Sequence, residues 1–265
     1  MHCMSKQNKP IGVMDSGVGG ISVLKHIHAL LPHEDLMYVA DSLYAPYGNK
    51  TAAEITNRCM IVADYLIAQD VKALVVACNT ATAAAIDELR ATFDIPIIGM
   101  EPAVKPAAAA SKSGIIGVLA TVGTLKSAQF AALLENYGRD VKVVTQGCVG
   151  LVECIERGEL DTAETKALIR QYATPLLVEG ADTIVLGCTH YPFVKHVIQN
   201  VVGDQITLID TGAAVAKQLK RQLEEKGLLS TSQQKMPSNQ KSKVHFWTNS
   251  EAENAEQVTA KLWGN

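Results

Sequence analysis

Short apolar runs rich in Val, Ile and Leu alternate along this chain with longer stretches in which apolar residues recur every three or four places. The short runs read as buried parallel strands and the longer ones as amphipathic helices. Ile11 to Met14 predicts a strand, Asp15 to Gly20 a turn, and Ile21 to Leu31 a helix ended by Pro32. Leu36 to Ala40 predicts a second strand, and Ser42 to Lys50 a loop containing Pro46-Tyr47-Gly48. Thr51 with Glu54 forms a capping-box signature that opens a helix toward Gln69. A strand ending at Cys78, an Ala-rich helix to Ala91 and a strand from Pro96 to Gly99 follow.

The plan then repeats. A strand over Ile115 to Leu119, a helix near Leu125 to Tyr137, and a strand over Val141 to Thr145 precede a charged helical region, Leu151 to Glu179. A strand ending at Cys188, another over Ile206 to Ile209 and a helix over Ala213 to Lys226 complete it. Ile11–Gly17 matches Ile116–Val122 at an offset of 105, Asp64–Cys78 matches Thr174–Cys188 at 110, and Ile95–Met100 matches Ile206–Thr211 at 111. Matching segments in the same order imply a duplicated α/β unit with parallel sheets. A polar loop, Ser230 to Lys243, a strand over Val244 to Trp247 and a helix over Glu251 to Leu262 close the chain. Pattern alone leaves open which unit this tail joins.

The 265 residues suffice for one large or two ordinary domains, and 48% hydrophobic with 19% charged residues fits a compact soluble protein. No apolar run approaches the roughly 18 residues of a membrane span, and no export signal opens the chain, so a cytoplasmic location is expected. Lys and Arg total 24 against 27 Asp and Glu, a net charge of −3 without a basic stripe, which argues against a nucleic-acid partner. The six cysteines form no C-x-x-C pair and no zinc-like spacing with histidine, so neither a disulfide scaffold nor a metal is expected. Gly17-Val18-Gly19-Gly20 lacks the third glycine of a dinucleotide fingerprint, since position 22 is Ser22. Those glycines instead suit close approach of the turn to a small ligand.

Cys78 and Cys188 occupy matching strand exits, the edge at which open α/β sheets bind ligands. Cys3, Cys59, Cys148 and Cys154 have no such counterpart and read as structural. Each of the two matched cysteines precedes a predicted helix start, which favours a thiolate. Two thiols facing one carbon could remove a proton from one side and deliver one from the other, which inverts a stereocentre. Asp15 is placed to orient Cys78 or hold an ammonium group, and His190 to act beside Cys188. Ser16, Asn79, Thr80, Thr121 and Thr189 are donors at strand exits suited to carboxylates.

Asp15-Ser16-Gly17-Val18-Gly19-Gly20, Pro46-Tyr47-Gly48, Cys78-Asn79-Thr80, Gly150-Leu151-Val152-Glu153 and Gly187-Cys188-Thr189-His190 together resemble the cofactor-independent aspartate/glutamate racemase superfamily, and the glutamate racemases within it, over nearly the full length. The resemblance implies two pseudo-symmetric α/β domains, 1–101 with 211–265 and 102–210, with the active site between them and the tail on the first. It implies Cys78 and Cys188 as acid/base residues, Asp15 supporting Cys78, and Glu153 with His190 supporting Cys188. Asp15, Ser16, Tyr47, Gly48, Asn79, Thr80, Thr121, Thr189 and His190 would line a glutamate pocket, with no cofactor, and a homodimer is the assembly considered. Three readings compete with it: racemisation of aspartate or another acid, a non-catalytic amino-acid-binding protein, and hydrolysis by a cysteine nucleophile. The last two leave a matched pair of thiols unexplained.

Overall fold

A computed structural model of the protein describes residues 6–230, 242–250 and 255–264. Among the described residues nine strands form two fully parallel sheets. The first contains β1 (Ile11–Asp15), β2 (Leu36–Ala40), β3 (Ala73–Val76), β4 (Ile97–Ile98) and β9 (Val244–Thr248), in the order β4-β3-β1-β2-β9. The second contains β5 (Ile115–Ala120), β6 (Lys142–Gly147), β7 (Thr183–Gly187) and β8 (Thr207–Ile209), in the order β6-β5-β7-β8. When β1–β4 are matched with β5–β8 the two orders coincide, as the repeated segments require. β9 adds beside β2, which places the tail's strand on the first sheet.

Both sheets are covered on both faces, which explains why their central strands are apolar without alternation. In the first, Val13, Val75 and Tyr38 pack with α1 (Ile21–Leu30) and α10 (Gly212–Glu225), while Met14, Leu74 and Val76 pack with α2 (Ala52–Ala68) and α3 (Asn79–Thr92). In the second, Ile184 and Leu186 face α7 (Leu151–Glu156), α8 (Ala163–Val178) and α9 (Lys195–Val202). Ile116, Val118 and Val185 face α4 (Val104–Ala110) and α6 (Ala128–Tyr137) on the other side. The capping box expected at Thr51 is formed, with Glu54 N–H donating to Thr51 Oγ1 at 3.3 Å and Thr51 N–H to Glu54 Oε2 at 2.8 Å.

The structure differs from the sequence reading in its shorter helices. The stretch predicted as one helix near Leu125–Tyr137 is α5 (Val122–Lys126) followed by α6, because Ser127 turns extended and caps the second with its hydroxyl, which accepts from Phe130 N–H at 3.1 Å. The charged region 151–179 is likewise two helices, broken at Gly158 (φ 74°) and restarted by the Thr162 cap. α4 and α9 carry no expectation from sequence. α4 tolerates Pro106 because the first helical turn needs no amide donors. The tail ends in α11 (Ala255–Trp263); Cys3, most of the predicted 230–243 loop and Glu251 lie outside the described residues. Among the described residues no helix is long and apolar enough to cross a membrane.

Candidate active site

The candidate residues meet at the carboxyl ends of the strands, where the two sheets face each other. β1 ends at Asp15, β3 ends two residues before Cys78, and β7 runs directly into Cys188. Cys78 has extended backbone (φ −148°, ψ 122°) and caps α3, its Sγ accepting the Ala81 N–H at 3.4 Å. Its thiol contacts Ser16 Oγ at 3.7 Å, and Ser16 Oγ donates to Asp15 Oδ1 at 3.4 Å. Asp15 Oδ2 accepts the Gly20 N–H at 2.6 Å.

Burial raises the Asp15 carboxyl from its ordinary 3.8 to about 6, against the pull of His190 and the Gly20 amide. Burial also pushes the Cys78 thiol well up, reinforced by the Asp15 charge and only partly offset by the Ala81 amide. The expectation that a helix start would favour the thiolate is therefore corrected at Cys78: the helix is there, but desolvation outweighs it. After Cys188 the chain enters a short 3₁₀ turn, Tyr191–Val194, rather than an α-helix, so the helix argument does not apply there.

Cys188 has a different support. Its Sγ lies 3.6 Å from His190 Nδ1, and His190 Nε2 is 2.6 Å from Glu156 Oε1. The same Oε1 accepts the Val18 N–H at 2.8 Å, so one carboxylate oxygen serves a histidine of the second half and the glycine turn of the first. Burial disfavours the His190 imidazolium, yet the contacts with Cys188 and Glu156 overcome it and hold its pKa well above the ordinary value. The glutamate at His190 is thus Glu156, not Glu153, which is the correction to the expected support of Cys188. Glu153 sits one helical turn earlier on α7 and lines a small cavity with Thr121, Cys148 and Val149. Among the described residues it makes no hydrogen bond to Cys188 or His190.

The glycine turn is explained by the same contacts. A side chain at Gly17 would collide with the Glu156 carboxylate, and one at Gly19 with the His190 ring. These glycines do permit close approach, but to the opposing half of the protein itself. Ser22 Oγ adds a further crossing bond by donating to the Thr189 carbonyl at 2.8 Å.

The remaining candidates surround the two thiols. Asn79 is buried with neither Oδ1 nor Nδ2 hydrogen-bonded, an orphaned amide of the kind that a polar ligand satisfies. Thr80 and Thr121 Oγ1 are 2.8 Å apart, and Thr124 Oγ1 lies 3.1 Å from the first and 3.0 Å from the second, a ring of three hydroxyls across the seam. Gly48 abuts Thr121, since an added Cβ would lie 2.7 Å from Thr121 Cβ. Tyr47 is buried and donates from its hydroxyl to Asp41. Glu156, Thr124 and Asp41 escape sequence reasoning. The glycines at 17 and 19 were the available signal for Glu156, because they mark where something must come close. Burial pushes Cys59 and Cys148 up to about 12, which suits their reading as structural thiols. Cys154, Glu159 and Glu164 can bring ligand atoms within 4.8 Å of one another, but Arg157 donates to Cys154 Sγ at 3.6 Å and to Glu159 at 2.6 Å.

Two buried thiols thus stand at equivalent strand ends, one beside a hydroxyl and a carboxyl and the other beside a histidine–glutamate pair. Residues 11–219 match the model of the Asp/Glu/Hydantoin racemase family. A glutamate racemase of Ectopseudomonas mendocina is 53% identical over 262 residues, covering 98% of this chain and 97% of the relative. The crystal structure of a glutamate racemase isoform from Bacillus anthracis superposes with a TM-score of 0.85 at 34% identity, covering 98% of this chain and 95% of that one. That of the Francisella tularensis glutamate racemase with D-glutamate gives 0.83 at 29%, with the same coverage. The chain belongs to the Asp/Glu/hydantoin racemase family.

Proposed function

We propose that the protein interconverts L- and D-glutamate by two-base proton transfer between Cys78 and Cys188, without cofactor or metal. The observation that carries this reading is the pair of buried thiols at matching ends of β3 and β7, each with its own polar support. With substrate Cα between the sulfurs, the thiolate on one side takes the Cα proton and leaves the electron pair on carbon. The thiol on the other side returns a proton to the opposite face, so the centre is inverted and one proton has moved from sulfur to sulfur. Burial favours the thiol form of Cys78, and Cys188 lies 3.6 Å from the His190 ring, so each sulfur has a polar neighbour of its own for the exchange. The reverse reaction exchanges the roles.

In this reading Asn79, Thr80, Thr121 and Thr189, with Ser16 and the Tyr47-Gly48 turn, supply donors to the two substrate carboxylates, and Asp15 faces the ammonium group. The glutamate racemases among the relatives support glutamate over aspartate. The division into 1–101 with 211–265 and 102–210 is supported by the split of strands between two sheets. Supply of D-glutamate for peptidoglycan, a cytoplasmic location and a homodimer complete the proposal, the last tested by sedimentation velocity.

Proton exchange in deuterated water tests the mechanism. Early turnover should label the inverted product at Cα while the remaining substrate stays unlabelled, because each thiol handles one enantiomer. Equal early label in both enantiomers would overturn the two-base scheme.

A further inference from the structure

The loop from 42 to 50 carries Tyr47 and Gly48 to the seam between the halves, and what grips it comes from far along the chain. The β2–β9 register pairs Ala40 with Thr248, so the next residues, Asp41 and Asn249, lie side by side. Asp41 is wholly buried, and a buried carboxylate is costly unless donors surround it. Four do: Arg58 Nε at 2.9 Å and Nη2 at 2.7 Å, Tyr47 OH at 2.6 Å, and Asn249 Nδ2 at 2.6 Å.

These partners also hold the loop directly. Asn249 Oδ1 accepts the Leu43 N–H at 2.9 Å, and the Arg58 guanidinium lies 3.8 Å from the centre of the Tyr44 ring. The loop is therefore fixed at Leu43, Tyr44 and Tyr47, immediately before Gly48 meets Thr121 of the other half. None of the three anchoring side chains, Asp41, Arg58 or Asn249, is itself among the residues at the thiols.

We propose that Arg58 and Asn249 are positioning residues for the substrate loop, acting through Asp41, so that the end of the C-terminal strand supports a site built by the N-terminal half. The inference rests on the reading of Tyr47-Gly48 as a wall of the glutamate pocket. It places the effect in substrate binding, because the loop holds the ligand and carries no proton-transfer group.

Steady-state kinetics in both directions, hydrogen exchange of the 42–50 segment by mass spectrometry, and thermal melting of Asn249→Ala, Asn249→Asp and Arg58→Lys test it. Losing a hydrogen bond to a buried carboxylate should raise KM about tenfold for both enantiomers in Asn249→Ala, with kcat changed less than about threefold. Amides of the loop should exchange faster. Asn249→Asp should be worse than Asn249→Ala, because it sets a second carboxylate against Asp41. Arg58→Lys keeps the charge but loses the two-point contact, so its KM should also rise. A lower melting temperature with KM and loop exchange as in the wild type overturns the inference. If the wild-type protein fails to racemise glutamate, the functional reading fails instead. Loop exchange in Asn249→Ala then still decides this one: faster exchange supports it and unchanged exchange overturns it.

Discussion

The two thiols stand at equivalent ends of duplicated strands but are supported in unlike ways. Around Cys78 the hydrogen-bond partners all come from its own half: the Ala81 amide, the Ser16 hydroxyl and, behind it, Asp15. Around Cys188 His190 and Glu156 are also of its own half, but Glu156 is tied across the seam, because it divides one oxygen between His190 and the Val18 amide. Duplication thus fixed where the sulfurs lie, and divergence of their neighbours set which polar groups each one meets. The hydrogen bonds of the first thiol stay within one half, whereas the chain of contacts behind the second reaches across to the glycine turn.

The strongest way to break the comparison is to remove the sulfurs. If each is base in one direction and acid in the other, Cys78→Ala and Cys188→Ala should each lose at least about a hundredfold in turnover both ways, equivalent to about 2.7 kcal/mol of barrier. The double variant should be little worse than either, since groups acting as a unit are non-additive. Near-normal racemisation by a folded Cys188→Ala protein would reduce the repeat to ancestry without mechanism.

Asp15 sharpens the contrast from the Cys78 side. Enantiomers have equal free energy, so any variant must lower kcat/KM equally in both directions, and the asymmetry has to be sought elsewhere. Asp15→Asn and His190→Asn should enlarge the isotope effect of Cα-deuterated substrate for opposite enantiomers, each for the one whose base it supports. The same enantiomer responding to both would refute separate support. Asp15→Asn should also separate stability from activity. Asp15 binds its proton more tightly in the fold, at about 6, than at its ordinary 3.8. Its contribution therefore favours the fold fully below about pH 3.8 and is lost as pH rises through about 6. At pH 8 the buried charge costs on the order of 3 kcal/mol. The asparagine variant should melt higher than wild type at pH 8 and lose that advantage at pH 4, while racemising more slowly.

A smaller effect is expected at the seam. Gly17→Ala places a methyl group where the Glu156 carboxylate now lies, and that flexible side chain can move away only by leaving His190 and the Val18 amide. Turnover should fall about tenfold, the scale of one hydrogen bond to a charged group, with little change in melting temperature. A large loss of stability without loss of rate would show that the glycine serves folding alone.

Much of this was legible in the chain itself. The strands before Asp15, Cys78 and Cys188 declared themselves because parallel strands covered on both faces are continuously apolar, and the repeat then paired the cysteines. Ser127 was invisible as a break because the apolar rhythm runs through it; only its hydroxyl, turned to cap α6, ends one helix and starts the next. The pairing of Asp41 with Asn249 depends on β9 returning beside β2, a tertiary event that no local pattern encodes. The glycines at 17 and 19 gave the right kind of reason, close approach, while the partner they approach was supplied by the other half of the fold.

The finest distinction lies between two glutamates on one short helix. Glu153 and Glu156 are three residues apart on α7, where both are partly buried, and sequence reading by resemblance chose the first. Which of them reaches His190 depends on how α7 packs against the exit of β7, and there the carboxylate at 2.6 Å belongs to Glu156. Glu156→Gln keeps the size and one hydrogen-bonding oxygen but removes the charge that stabilises the His190 imidazolium. It should slow turnover by about tenfold and shift the basic limb of the pH–rate profile down, because His190 then gives up its proton more readily. Glu153→Gln removes a charge that has no hydrogen bond to either residue, so its rate should stay within about threefold of wild type, with the profile unmoved. If the two variants exchanged behaviour, the support of Cys188 would belong to Glu153 after all, and α7 would have to turn on binding substrate to bring it there.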